Sequence, residues 1–167
     1  MSLSEADRKL VHQSIKAKAL SADPHRQVGV VIADSQHKCI SKGANEPPTA
    51  LKLSQQQTLA HISADADWKY FVLEHAERNA IFDAWRRGAD LAGATLYGTL
   101  FPCADCARAI VAAGIARVVV PEPGLDVLRD KKWADHYKFA SEILRRAGVV
   151  VDHYEADQAG DVSRALG

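Results

Sequence analysis

From residue 74 onward the chain repeats one unit: a helix-length run, a glycine, then a short apolar strand. Residues 74–87 stop at Gly88 before the strand 94–99; residues 105–113 stop at Gly114 before 116–120; residues 133–146 stop at Gly148 before 149–152. A glycine just past the last periodic residue is where a helix closes in the left-handed region. Upstream, 28–33 and 38–41 are two strand-length runs joined by Asp34-Ser35-Gln36, a hairpin by spacing. Residues 3–20 place Leu3, Leu10, Val11, Ser14, Ile15 and Ala19 along one helical face, and Asp23-Pro24 ends that helix. A helix, a hairpin and repeated helix–strand units predict an α/β fold, a three-layer α-β-α sandwich around a mixed, roughly five-stranded sheet. With 167 residues the chain fits one domain, read here as 1–157, followed by a polar tail over 158–167.

The segment 43–70 is the least regular. Gly43-Ala44-Asn45-Glu46-Pro47-Pro48 reads as a loop, with a short helix over 54–60. A connection this long is more often functional than filler. His61, Asp65 and Asp67 lie in it, as exposed loop polars by default and a second metal site as the sharper reading. Several function classes are disfavoured by composition. Lys plus Arg and Asp plus Glu number 21 each, so no broad basic surface for nucleic acid is predicted. No apolar run approaches 18 residues, and the first residues are acidic where a secretory leader is basic and then apolar. Three cysteines are too few for a disulfide scaffold. A reducing cytoplasm is the natural setting, and there a close cysteine pair commonly binds metal. Cys39, alone in the hairpin, reads as a small half-buried side chain.

Cys103 and Cys106 stand at i and i+3 on the first turn of a predicted helix, which puts both sulfurs on one side. The helix N-terminus lowers thiol pKa values. A thioredoxin-like redox pair uses the same spacing but leaves His75-Ala76-Glu77, at the head of the preceding long helix, unexplained. If consecutive strands of a parallel sheet carry these two helices, both helix starts emerge at one sheet edge. His75, Cys103 and Cys106 then form a three-ligand zinc site with an open fourth position, the catalytic rather than the structural arrangement. Glu77 is placed to move protons there, and attack on an amidine-like ring carbon with loss of ammonia is hydrolytic deamination.

The pattern His75-Ala76-Glu77 with Pro102-Cys103-Ala104-Asp105-Cys106 resembles the zinc-dependent cytidine/deoxycytidylate deaminase superfamily, most closely its deoxycytidylate (dCMP) deaminase branch. Segments 26–32, 75–81, 96–107 and 114–119 carry the likeness, which spans about residues 5–152. It implies a cytidine deaminase-like fold, Zn2+ as cofactor and conversion of dCMP to dUMP with release of ammonia. The alternatives are deamination of a nucleoside, a free base or a modified aminoheterocycle, and, in a different class, a non-catalytic zinc-stabilised binding protein. The resemblance further implies that Asn45 contacts the sugar hydroxyl, that the Ala76 backbone meets the base, that Asn79 shapes the pocket and that Phe101 walls it. Two departures stand out: the loop Gly43-Ala44-Asn45-Glu46 lacks the family's aromatic and carries Glu46 where a small residue is usual. A carboxylate facing the pocket repels a phosphate, and Arg26, Lys42, Lys52 and Lys132 are the cations that offset it or else lie on the surface. Arg78 either hydrogen-bonds a metal-bound sulfur or lies on the helix surface. The likeness also implies a homo-oligomer, at least a dimer, with Trp85 and Trp133 as interface anchors or core residues. Nucleic acid and membrane are not expected partners.

Overall fold

The computed structural model describes residues 3–124 and 127–155; the expected tail 158–167 and the boundary at 157 lie outside them. Helix α1 (Glu5–Ala17) opens with a capping box in which the Ser4 hydroxyl and the Asp7 carboxylate each accept the other residue's backbone N–H. Its last residues, expected as helix, tighten into a 3-10 turn at Lys18–Leu20. Strands β1 (Gly29–Ala33) and β2 (Cys39–Ala44) form the expected hairpin. Helices α2 (Gln55–Ala64) and α3 (Trp68–Val72) occupy the segment read as mostly loop. Then come α4 (Ala76–Arg86), β3 (Thr95–Gly98), α5 (Ala104–Ala112), β4 (Arg117–Pro121), α6 (Val127–Arg146) and β5 (Val150–Tyr154). The glycine stops hold: Gly88, Gly114 and Gly148 all have φ between 70° and 77°. Helix α6 begins about six residues earlier than its apolar spacing indicates, because its first turn is solvent-facing, with Val127 and Leu128 exposed.

The sheet order is β2-β1-β3-β4-β5. β1 is antiparallel to both neighbours, and β3, β4 and β5 are mutually parallel. Strands β2 and β3 therefore run the same way with β1 between them. Side chains alternate across the sheet as the period of two requires. Val30, Ile32, Leu96, Val118 and Val120 face a core closed by Ala80 and Ile81 of α4, Ile110 of α5 and Leu144 of α6. Val31, Ala33, Tyr97 and Val119 face the other way, against Leu10 and Val11 of α1. The result is the expected three-layer α-β-α sandwich, with α1 on one face and α4, α5 and α6 on the other.

A buried ionic network ties α1 to the parallel strands. Asp7 is buried, accepts from Tyr97 Oη at 2.8 Å and from Arg117 Nη1 at 2.7 Å, while Arg117 Nε donates to Asp152 at 2.7 Å. Burial alone would raise the Asp7 pKa, but hydrogen bonds from Arg117, Ser4 and Tyr97 outweigh it and hold the carboxyl well below the usual carboxylate range. Because its folded pKa is depressed, Asp7 contributes stability that is full at pH above its unfolded pKa of about 3.9 and declines progressively as pH falls from there toward the folded value. Urea denaturation should therefore show Asp7→Asn less stable by about 3 kcal/mol at neutral pH, as for a broken buried pair. The deficit should shrink toward pH 3; a pH-independent deficit contradicts the ionic assignment.

Candidate metal centre and active site

Strand β2 lies directly on the first turn of α4. A Cβ at Gly43 would overlap the Ala76 carbonyl oxygen and come within 2.7 Å of the Ala80 nitrogen, so only glycine permits the approach. Asn79 fastens the same junction, its Nδ2 donating to the carbonyls of Ala44 (2.8 Å) and Glu46 (3.2 Å). The Glu74 N–H donates to the Glu46 carbonyl at 2.9 Å, forming an isolated antiparallel bridge. That bridge explains why α4 starts at Ala76 and not at Glu74 as expected: Glu74 is extended, and His75 becomes the N-cap with φ −70° and ψ 150°.

Cys103 is likewise the N-cap of α5, its sulfur accepting the Cys106 N–H at 3.5 Å. The two helix starts do meet at one sheet edge, but the strands that precede them are β2 and β3, parallel and not adjacent, rather than consecutive neighbours. Both sulfurs lie 3.5 Å from His75 Nδ1, and the three ligand atoms fall within 4.8 Å of one another. A tetrahedral ion with bonds of about 2.0 Å to nitrogen and 2.3 Å to sulfur needs an N···S edge of about 3.5 Å. These residues fit such an ion. Glu77 is 4% exposed and its Oε2 stands 3.5 Å from Cys106 Sγ. His61, Asp65 and Asp67 are exposed polar residues, as read by default, and do not assemble into a second metal site: His61 stacks on Trp68 at 4.8 Å, and Asp65 accepts the Asp67 N–H.

The Cys103 and Cys106 thiols are shifted in opposite directions. The Cys106 thiol donating to Cys103, then His75, bring Cys103 down to about 4 against the opposing effect of burial. The same hydrogen bond, together with burial, pushes the Cys106 thiol well up. Cys103 in turn raises His75, and burial raises Glu77.

His75, Glu77 and Cys103 form the floor of a cavity of about 690 Å3. Ala76 and Phe101 line it, Phe101 packing edge-on against Tyr137 at 5.6 Å. Asn45 lines it too, yet both its amide atoms are engaged: Oδ1 accepts from the Val28 N–H and Nδ2 donates to the Arg26 carbonyl, each at 2.8 Å. Arg26 and Lys132 border this cavity, whereas Lys42, Glu46, Lys52 and Asn79 line a separate one of about 510 Å3 across the 43–46 loop. Glu46 is half-buried there, and burial raises its pKa. Arg78 makes no sulfur hydrogen bond among the described residues; its Nε donates to Glu74 at 2.7 Å and it borders the cavity.

Apart from Lys132, the residues facing this floor have no site role by sequence. Tyr70 and Leu73, in and just after α3, and Lys132, Trp133, His136 and Tyr137 of α6 close over the floor. Trp133, read as core or interface, packs half-buried against the core and also stands edge-on to His75 with ring centroids 6.4 Å apart. The i, i+3, i+4 spacing of Trp133, His136 and Tyr137 was the available signal, a polar-aromatic face that a wholly buried helix would not carry.

A His-Cys-Cys trio whose spacing fits a tetrahedral ion, beside a buried carboxylate at the base of a cavity, defines a metal-dependent hydrolase site. Residues 4–122 match the cytidine and deoxycytidylate deaminase zinc-binding region, and the chain belongs to that family. It is 34% identical over 131 residues to an uncharacterized deaminase in the luxG 3' region of Aliivibrio fischeri, covering 78% of this chain and 81% of that one. It is 35% identical over 127 residues to the deoxycytidylate deaminase of Enterobacteria phage T2, covering 72% of this chain and 56% of the other. The chain thus spans just over half the length of that relative. The fold is also that of the dCMP deaminase of cyanophage S-TIM5 solved with dCMP and dUMP, with TM-score 0.67, 18% identity, and coverage of 92% of this chain and 100% of that one.

A divalent ion here needs both sulfurs as thiolates and a neutral Nδ1, so its uptake releases the protons that Cys106 and His75 hold above their ordinary values. Apparent zinc affinity, measured by chelator competition, should tighten from pH 6 to pH 8 by about tenfold per proton released per pH unit. Cys106→Ser should lose stoichiometric metal. A flat pH profile, or full retention by the variant, contradicts the ligand set.

Proposed function

We propose that the chain is a zinc-dependent hydrolytic deaminase of a cytosine-type nucleotide, converting dCMP to dUMP with release of ammonia. The observation that carries this reading is the trio of ligand atoms with the Glu77 carboxylate beside it, 3.5 Å from Cys106 Sγ, in a cavity open to a small molecule. His75, Cys103 and Cys106 would hold the Zn2+, which supplies Lewis acidity and brings the pKa of a water toward neutrality. Glu77 takes the proton of the attacking water and delivers protons to the ring nitrogen and the departing amine. Its burial favours this role, because a carboxyl raised by desolvation is the better proton carrier near neutral pH. Phe101 and Trp133 offer apolar surface to a flat base, and the Ala76 backbone meets its edge. Asn45 acts by fixing residues 26–28 with its side chain, which supports a positioning role for its amide beside any contact with the sugar. Asn79 acts on the pocket from behind, by tying 44–46 to α4.

Glu46 does not weigh against a phosphate in this cavity, since it lines the other one and not this one. A non-catalytic zinc module has no use for a buried acid beside the ligands. Several further features belong to the same proposal. It is a homo-oligomer, at least a dimer, with Phe82 and Trp85 exposed side by side on α4 at 42% and 47%. It acts in the cytoplasm on a small molecule, not on nucleic acid. No helix among the described residues is long and apolar enough to cross a membrane.

An ammonia-release screen over cytosine, cytidine, deoxycytidine and dCMP should show dCMP preferred. Glu77→Ala should retain zinc while kcat falls by about 10²-fold or more, the range for a lost general acid–base. Undiminished turnover in that variant contradicts the mechanism.

A further inference from the structure

The reading above leaves open which group distinguishes a nucleotide from its nucleoside. We propose that Lys132 of α6, set against Tyr70 of α3 at the mouth of the cavity, is the specificity residue that binds the substrate's phosphate; this rests on the deaminase reading.

Most charges around the cavity are already matched. Lys69 and Asp23 pair at 2.9 Å with both side chains nearly buried. Arg78 is held by Glu74, and Asp105 by Arg108. Lys132 differs. Among the described residues its ammonium meets no carboxylate; Nζ lies 3.5 Å from the Tyr70 hydroxyl and 4.7 Å from the centre of that ring. An ammonium resting on a phenol ring retains donors for an anion.

The direction of α6 places this cation at the appropriate end. His136 Nδ1 accepts the Ala104 N–H at 3.3 Å, one residue beyond Cys103. Trp133 reaches the His75 ring. Lys132 lies one turn before His136, roughly 6 Å along the helix axis and away from the ligand loop. Side chains on this face thus run from the reacting end of the cavity to its exposed rim, where Lys132 and Tyr70 are both solvent-accessible. A nucleotide with its amino-bearing ring carbon at Glu77 presents its phosphate away from the floor, toward that rim. Lys42 and Lys52 cannot substitute, because they line the cavity on the far side of the 43–46 loop.

The test is the ratio of kcat/KM for dCMP to that for deoxycytidine in wild type, Lys132→Gln, Lys132→Arg and Tyr70→Phe. Lys132→Gln should lower the ratio by about tenfold or more, as for a lost hydrogen bond to a charged group, chiefly through KM for dCMP. Lys132→Arg should restore most of it, and Tyr70→Phe should lower it less. A ratio unchanged in Lys132→Gln, or equal losses on both substrates, overturns the proposal and leaves Lys132 a structural tie between α3 and α6. Titration with dUMP and deoxyuridine reads the same preference without turnover. Wild type favouring dUMP and Lys132→Gln losing that preference supports the assignment. Equal preference in the two proteins, or none in wild type, overturns it. A wild type that deaminates no cytosine substrate overturns the functional reading instead.

Discussion

Two helix beginnings have to meet for this protein to have a site at all. α4 is reached from β2 and α5 from β3, and those strands run in the same direction with β1 between them. The helices consequently start at one edge of the sheet. In each, the residue at the N-cap is a metal-ligating type, His75 in one and Cys103 in the other. In the first turn of α5 the Cys106 N–H donates to the Cys103 sulfur, and the positive end of that helix favours a thiolate there. Gly43 sets the distance at which this happens, since any side chain there would push α4 off β2 and carry His75 away from the cysteines.

The surroundings divide the work between backbone ties and cavity walls. Asn79 and the Glu46–Glu74 bridge lock the 44–46 loop to the head of α4, and Asn45 locks the same loop to residues 26–28. With its polar groups satisfied in this way, the loop separates two cavities and keeps the Glu46 carboxylate out of the one above Glu77. The other walls come from α3 and α6, which contact each other through Lys132 and Tyr70. On the opposite face of the sheet, Asp7 and Arg117 hold α1 in place and keep the strand edges in register without touching the site.

What could be read from the sequence is what local rules determine. Periodicity and the three glycine stops yielded the strands, the helices and the layered sheet, and the i, i+3 cysteines with a histidine at a helix head yielded the ligand trio. The unread part depends on tertiary docking. Asn45 looks free for a ligand until Val28 and Arg26 are folded beside it. Glu46 of the 43–46 loop and Asn79 on the first turn of α4 both line the other cavity, Asn79 because its amide is turned to the Ala44 and Glu46 carbonyls. Trp133 has the same composition whether it packs in a core, across an interface or over His75; only the path of α6 decides. The early start of α6 and the existence of α3 were missed because their short, exposed turns carry too few buried positions to leave a periodic signal.

The central claim is that three side chains hold a zinc ion and leave its fourth position open for chemistry. X-ray absorption at the zinc edge of the metal-loaded protein tests this most directly. The account predicts two sulfur neighbours at about 2.3 Å, one imidazole nitrogen and one light, non-protein neighbour, each of the latter two at about 2.0 Å. A shell closed by a fourth protein ligand, such as a third sulfur from Cys39, or a protein that takes up no zinc, would contradict it.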